Sequence, residues 1–257
     1  MKYIERRINK DKIEIVTISD WHLGDKLFDE KLAHKYIDYI NNNKNVYVIG
    51  MGDLTNTALK NSKSDVYNSM SPKNEIALLT SDKFLGSIKK DKWLIYTSGN
   101  HGNRLEQETS ISADSIIVDK LGIADKYAPS IGVINIQLNG NSYYIALHHG
   151  IGGGNTMGAK ANRMEKFSNI IAGADIAILG HTHTPMCIPK LQYILDKKHS
   201  RIKKQITYMI NSGSLLGYEE GYAERFIMHP SVVGNAIITI EKCGRRCPKR
   251  IFTRWQV

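Results

Sequence analysis

A chain of 257 residues with 42% hydrophobic content can bury a substantial core, and α/β folds of this length are commonly one domain. No apolar run reaches the ~18 residues of a membrane span, no repeat or low-complexity tract interrupts the chain, and three cysteines are too few for a disulfide framework. Helical membrane-spanning, solenoid and disulfide-stapled classes are thereby excluded, while a formal net charge of +10 favours an anionic partner.

Residues 1–11 are charged and lack the apolar core of a signal peptide, so the expectation is a cytoplasmic protein of one domain, 1–257, with no membrane partner. Oligomeric state is not legible. Cys243 and Cys247 have no second Cys or His pair at zinc-site spacing and read as a hairpin turn. Basic residues are densest at 197–204 and 242–254, the second run holding Lys242, Arg245, Arg246, Lys249, Arg250 and Arg254.

In chain order, an apolar strand at 13–18 runs into Asp20-Trp21-His22, and a helix over 29–41 follows with Leu32, Ala33, Tyr36, Ile37 and Ile40 on one face. A second strand, 46–51, meets Gly52-Asp53; residues 54–72 read as a polar surface excursion and 74–88 as a helix. A third strand, 93–97, delivers Gly99-Asn100-His101, and Ser112 caps a helix carrying Ile116, Ile117 and Leu121. After Pro129 the apolar residues alternate, Asn139-Gly140 supplies a hairpin turn, and 143–147 returns to His148-His149. A helix around 157–171 and a strand at 176–179 precede His181-Thr182-His183; strands at 188–194 and 205–210 and a final hairpin, 236–241 with 250–257, complete the chain. The pattern predicts an α/β fold: a four-layer αββα sandwich of two mixed β-sheets flanked by helices, with parallel βα units first and antiparallel strands later.

Nearly every Asp, Asn and His singled out here lies just past a strand end, where an open α/β sheet gathers its functional loops. Carboxylate and imidazole donors without thiolate suit first-row divalent ions: manganese foremost, with iron, zinc or nickel as alternatives. Two such ions about 3.5–4 Å apart can polarise a phosphoryl oxygen, lower the pKa of a bound water and hold nucleophile and leaving group in line. A shared anionic ligand must offset their repulsion, and Asp53 is the natural candidate.

Asp20-x-His22, Gly52-Asp53, Gly99-Asn100-His101, His148-His149-Gly150 and Gly180-His181-x-His183 together resemble the ordered motifs of the calcineurin-like metallophosphoesterase superfamily. The resemblance spans about two-thirds of the chain and is specific for the superfamily but not for substrate. It implies one metal held by Asp20, His22, Asp53 and His183, and a second held by Asp53, Asn100, His181 and one of His148 or His149, with His149 favoured. It also implies that His101 is catalytic rather than a ligand, stabilising the transition state or protonating the leaving alkoxide.

The family usually places an acidic residue directly after this histidine, and here Gly102 stands instead, so Glu106 or Asp65 is expected to orient His101. Arg104 is a candidate substrate-binding clamp, because its planar fork matches phosphate oxygens. Gly152-Gly153-Gly154 is a candidate anion-binding turn. The function expected is a dinuclear metal-dependent phosphoester hydrolase, foremost a phosphodiesterase or nuclease acting on DNA or RNA. The alternative is a phosphatase or phosphodiesterase on a small nucleotide, phosphoprotein or other small phosphoester.

Overall fold

The computed structural model describes residues 1–60, 69–243 and 249–255. Two six-stranded mixed sheets form its centre. The first, in spatial order, comprises β1 (Lys2–Ile8), β6 (Gly132–Leu138), β7 (Asn141–His148), β8 (Ile176–Leu179), β10 (Arg201–Asn211) and β9 (Met186–Asp196). The second runs β14 (Arg250–Arg254), β13 (Ile237–Glu241), β2 (Lys12–Ile18), β3 (Val46–Gly50), β4 (Trp93–Thr97) and β5 (Tyr127–Ala128). A short ribbon, β11 (Gly213–Ser214) with β12 (Gly234–Asn235), lies between them in sequence.

Period-two alternation explains the layering, since successive side chains of a strand point to opposite faces. Ile13 and Ile15 of β2 and Ile49 of β3 face inward and join Ile134, Ile145, Ile176, Ile178 and Ile210 in an apolar layer between the sheets. Val16, Ile18 and Val48 face outward, where they pack with Tyr36, Ile37 and Ile40 of α1 (Glu30–Asn42), Leu79 of α2 (Pro72–Leu79) and Ile117 of α4 (Ala113–Lys120). On the other side, Ala146, Ala177 and Met209 take Met164 and Phe167 of α5 (Met157–Ile170). The result is the expected αββα stack.

The observed elements depart from the pattern in three places. The charged N-terminus is a strand: β1 pairs in parallel with β6, exposing alternate residues such as Tyr3 and burying Ile8. The helix expected over 74–88 stops at Leu79, where Thr80 and Ser81 turn their hydroxyls onto the carbonyls of Ile76 and Leu78; a short 3-10 turn, Leu85–Ser87, follows. An unexpected helix, α3 (Asn100–Thr109), begins on the Asn100-His101 pair itself. Strands β2, β3, β4 and β8 end at one end of the stack, and β7, antiparallel to β6 but parallel to β8, ends there too.

Candidate metal centre

Five candidate residues sit in turns directly after these strands with left-handed backbones: Asp20 (φ 52°), His22 (φ 50°), Asp53 (φ 51°), His181 (φ 65°) and His183 (φ 54°). Non-glycine residues adopt this region at a cost of order 1–3 kcal/mol each, and such strain concentrates at functional sites. Hydrogen bonds hold it in place. The Asp20 carboxylate accepts His181 N–H at 3.1 and 3.0 Å, the Asp53 carboxylate accepts His101 N–H at 2.8 Å, and Asp53 O accepts His22 N–H at 3.1 Å. Each turn is thereby tied to another.

The side chains converge. Three overlapping groups, Asp20 with His22 and His183, His22 with Asp53 and His101, and Asp53 with His149 and His181, each place their donor atoms within 4.8 Å of one another. His22 Nε2 lies 3.2 Å from His183 Nε2, which lies 3.2 Å from Asp20 Oδ1, and His149 Nε2 lies 2.9 Å from Asp53 Oδ2. Asn100 Oδ1 lies 2.7 Å from His181 Nδ1 and 3.0 Å from His149 Nε2. With its amide turned over, Asn100 would instead donate to these atoms and to Asp53 Oδ2 at 2.8 Å, and accept from Arg104 at 3.2 Å. Acceptor-rich convergence of this kind fits hard or borderline divalent ions.

The electrostatics agree. Burial works to raise the Asp20 carboxyl, but His149 and His183 outweigh it and hold it at about 2. Asp53 is likewise kept well below the usual carboxylate range, burial being overcome chiefly by His149 and His101. Burial, with neighbouring histidines, depresses His22 strongly and also lowers His181. Two carboxylates thus stay ionised while these imidazoles stay neutral, the protonation states metal ligation requires. His149 is the exception: burial is overcome by Asp53 and Asp20, which raise it to about 10, so it stands as the cation between two anions.

The doubled histidine separates on strand alternation. His149, 2% exposed, turns into the cluster and anchors its Nδ1 on Met51 O at 2.6 Å. His148 lies outside it; its Nδ1 accepts Gly150 N–H at 2.9 Å and its ring faces Phe167. Of the two, only His149 joins the converging donors.

His101 lies over the cluster with its Nε2 3.9 Å from Asp53 Oδ2. Its Nδ1 is 2.6 Å from Asn56 O, so a backbone carbonyl and not Glu106 orients the ring; Glu106 is exposed, and Asp65 lies outside the described residues. Gly102 has a different reason. A Cβ there would stand 2.4 Å from Oδ2 of Asp114, a buried carboxylate that accepts Gly99 N–H at 3.1 Å and Tyr96 O–H at 2.6 Å. Sequence reading missed Asp114, whose signal is an acid on the buried face of an apolar helix. It missed Asn56 because a backbone carbonyl leaves no sequence trace.

Other expectations change with the fold. The 152–154 glycines turn carbonyls, not N–H groups, to their neighbours: Gly152 O faces His181 Nε2 at 3.0 Å, and Arg163 takes the carbonyls of Ile151 and Gly153. The basic run at 197–204 sits at the far end of the β9–β10 hairpin. That hairpin leaves the site end at Met186 and runs 11 residues outward, about 36 Å at ~3.3 Å per residue. In the tail, Lys242 pairs with Asp11, Lys249 with Asp175 at 2.6 Å, Arg250 with Glu241 and Arg254 with Glu14 at 3.2 Å. Arg245, Arg246 and Cys247 lie outside the described residues.

No protein-family model and no curated protein matches the chain. Among solved structures, it is similar to a conserved uncharacterized protein, a predicted phosphoesterase, from Streptococcus pneumoniae, at 15% identity over 95% of this chain and 98% of that one, with a TM-score of 0.38. A Thermotoga maritima protein solved by NMR matches at 16% identity over 95% and 99%, TM-score 0.37. Vacuolar protein sorting 29 from Cryptosporidium parvum matches at 14% over 95% and 98%, TM-score 0.37. Likenesses this distant leave activity and substrate open. No helix among the described residues is long and apolar enough to cross a membrane. The αββα stack of two mixed six-stranded sheets carries its Asp-x-His, Gly-Asp, Asn-His, His-Gly and His-x-His turns in that order at one end.

Proposed function

We propose that the protein is a metal-dependent phosphoester hydrolase with a dinuclear centre. The observation that carries this reading is the convergence of two ionised carboxylates, four imidazoles and one amide oxygen at one end of the sheets, five of these residues on strained turns. Asp20, His22, His183 and Asp53 would hold one ion, and Asp53, Asn100, His149 and His181 the other, with Asp53 shared. When bound, a pair of divalent ions, manganese foremost, supplies charge for the phosphoryl oxygens and acidifies water.

The chain's own residues do the rest. Asp53 keeps its charge where two cations would otherwise repel. His101, fixed through Nδ1 on Asn56 O, presents Nε2 as the atom that exchanges a proton with the leaving oxygen. Arg104, one turn along α3 and close enough for its charge to act on His101, is placed to clamp a phosphate oxygen.

Within this reading a phosphodiester of DNA or RNA is the foremost substrate, supported by the net charge of +10. The support is general rather than local, because the 197–204 run is remote from the site and the described tail cations are paired with acids. The test is metal analysis with turnover of bis(p-nitrophenyl) phosphate, followed by single- and double-stranded DNA, RNA, cyclic nucleotides and phosphomonoesters in manganese. Two ions per chain with turnover are expected. Tight metal binding with no turnover of any ester would make the fold a scaffold, and activity confined to small esters would remove nucleic acid.

A further inference from the structure

Glu75 is 0% exposed, and no cation pairs with it among the described residues. It stands on α2, the truncated helix, outside every motif read from the sequence. Its Oε2 accepts Thr57 N–H at 2.7 Å, and its Oε1 packs so closely on Gly24 that a Cβ there would lie 2.2 Å away. Burial raises this carboxyl to about 7, with the Thr57 and Asn56 N–H groups pulling it back. Burying an acid carries a desolvation cost that packing alone does not return.

The Thr57 N–H and the Asn56 C=O belong to one peptide unit, which is planar, with N–H and C=O on opposite edges. Glu75 holds one edge of that plane, and His101 Nδ1 holds the other at 2.6 Å. The same loop is clamped from the side, where Asn56 N–H donates to Leu23 O at 3.0 Å. Thr57 itself is left-handed, φ 41°, so this peptide stays in place only while it is held.

We propose that Glu75 is a positioning residue: through the Asn56–Thr57 peptide it orients His101 and fixes the proton on Nδ1, doing at one remove what a carboxylate in direct contact with the imidazole would do. Hydrogen bonds in series polarise one another, so an acceptor oxygen on the N–H strengthens the carbonyl as an acceptor. A carbonyl can only accept, so Nδ1 always carries hydrogen and Nε2 is reserved for substrate. This role rests on the phosphoesterase reading for its catalytic consequence but not for its geometry.

The test therefore has two arms. Long-range 1H–15N spectra of the wild-type protein, metal-free and zinc-loaded, should show His101 as the Nδ1–H tautomer. A dominant Nε2–H tautomer would overturn the proposal whether or not any ester is hydrolysed. In the second arm, Glu75→Leu should mix the tautomers, leave two ions per chain bound, and slow an alkyl phosphodiester by roughly 10–100-fold, within the range of acid–base groups, while a nitrophenyl ester slows far less. Glu75→Gln, which keeps an oxygen for Thr57 N–H, should restore both readouts. Should Glu75→Leu not fold, Glu75→Gln and the wild-type spectra still decide. Equal slowing of both esters by Glu75→Leu, or an unchanged tautomer in it, would reduce Glu75 to a structural acid.

Discussion

Replacing Gly102 with alanine separates a conformational need for glycine from a spatial one. Gly102 is the third residue of α3, where alanine is intrinsically better by about 0.5–1 kcal/mol. The new methyl, however, would stand 2.4 Å from Asp114 Oδ2 and 3.3 Å from its Cγ. Asp114 cannot retreat freely, being 3% exposed and held by Tyr96 O–H at 2.6 Å and Gly99 N–H at 3.1 Å. Overpacking costs about 1–3 kcal/mol, and a broken hydrogen bond to a buried acid about 1–3 more. Set against the helix gain, the net loss is about 1–5 kcal/mol, centred on about 3 kcal/mol. At ~2–4 °C per kcal/mol for a chain of this size, the central value lowers the melting temperature of the metal-free protein by roughly 6–12 °C. The assay is urea and thermal unfolding of Gly102→Ala, Asp114→Ala and the double variant. On the Asp114→Ala background the same methyl should become neutral or stabilising. Equal destabilisation in both backgrounds would refute the contact, and a more stable Gly102→Ala would refute the whole account.

Asp53→Asn should deplete both ions in metal analysis and abolish turnover, because one substitution removes the shared charge; two retained ions with near-normal rate would contradict the bridging assignment. His149→Ala should lose one ion while His148→Ala keeps both, and calorimetric titration with manganese distinguishes them. His101→Ala should retain the metals yet slow hydrolysis by ~10²–10⁴-fold, most for poor leaving groups. Burial, reinforced by the Asp53 charge, lifts Asp114 from the ordinary range near 4 to about 6 against the opposing Tyr96 and Gly99 bonds. Between those values the folded state keeps a proton the unfolded state has lost. This contribution is therefore full below about pH 4 and is lost as pH rises to 6, at up to ~1.4 kcal/mol per pH unit. Asp114→Asn should remove that slope from the pH dependence of unfolding, and parallel wild-type and variant profiles would count against it.

The sequence by itself determined the layers and most of the residues that converge. Alternation at Ile13, Ile15, Val16 and Ile18 places apolar residues on both faces of one strand, which demands cover on both sides. Asp20, His22, Asp53, Asn100, His181 and His183 are legible as one cluster because each follows such a strand, and strand ends share one end of a parallel sheet. What the sequence left open concerned atoms whose role depends on where another element arrives. His148 and His149 are chemically identical, and only the facing of β7 against β8 turns one inward. The orientation of His101 falls to a backbone carbonyl, which any residue at 56 would carry. The basic runs look alike in composition, yet one is carried about 36 Å away by ~3.3 Å per residue of hairpin and the described part of the other is neutralised by Asp11, Asp175, Glu241 and Glu14. Local pattern records which face a side chain must take, whereas partners distant in sequence, such as Gly102 with Asp114 or Asn56 with His101, exist only once the sheets have packed.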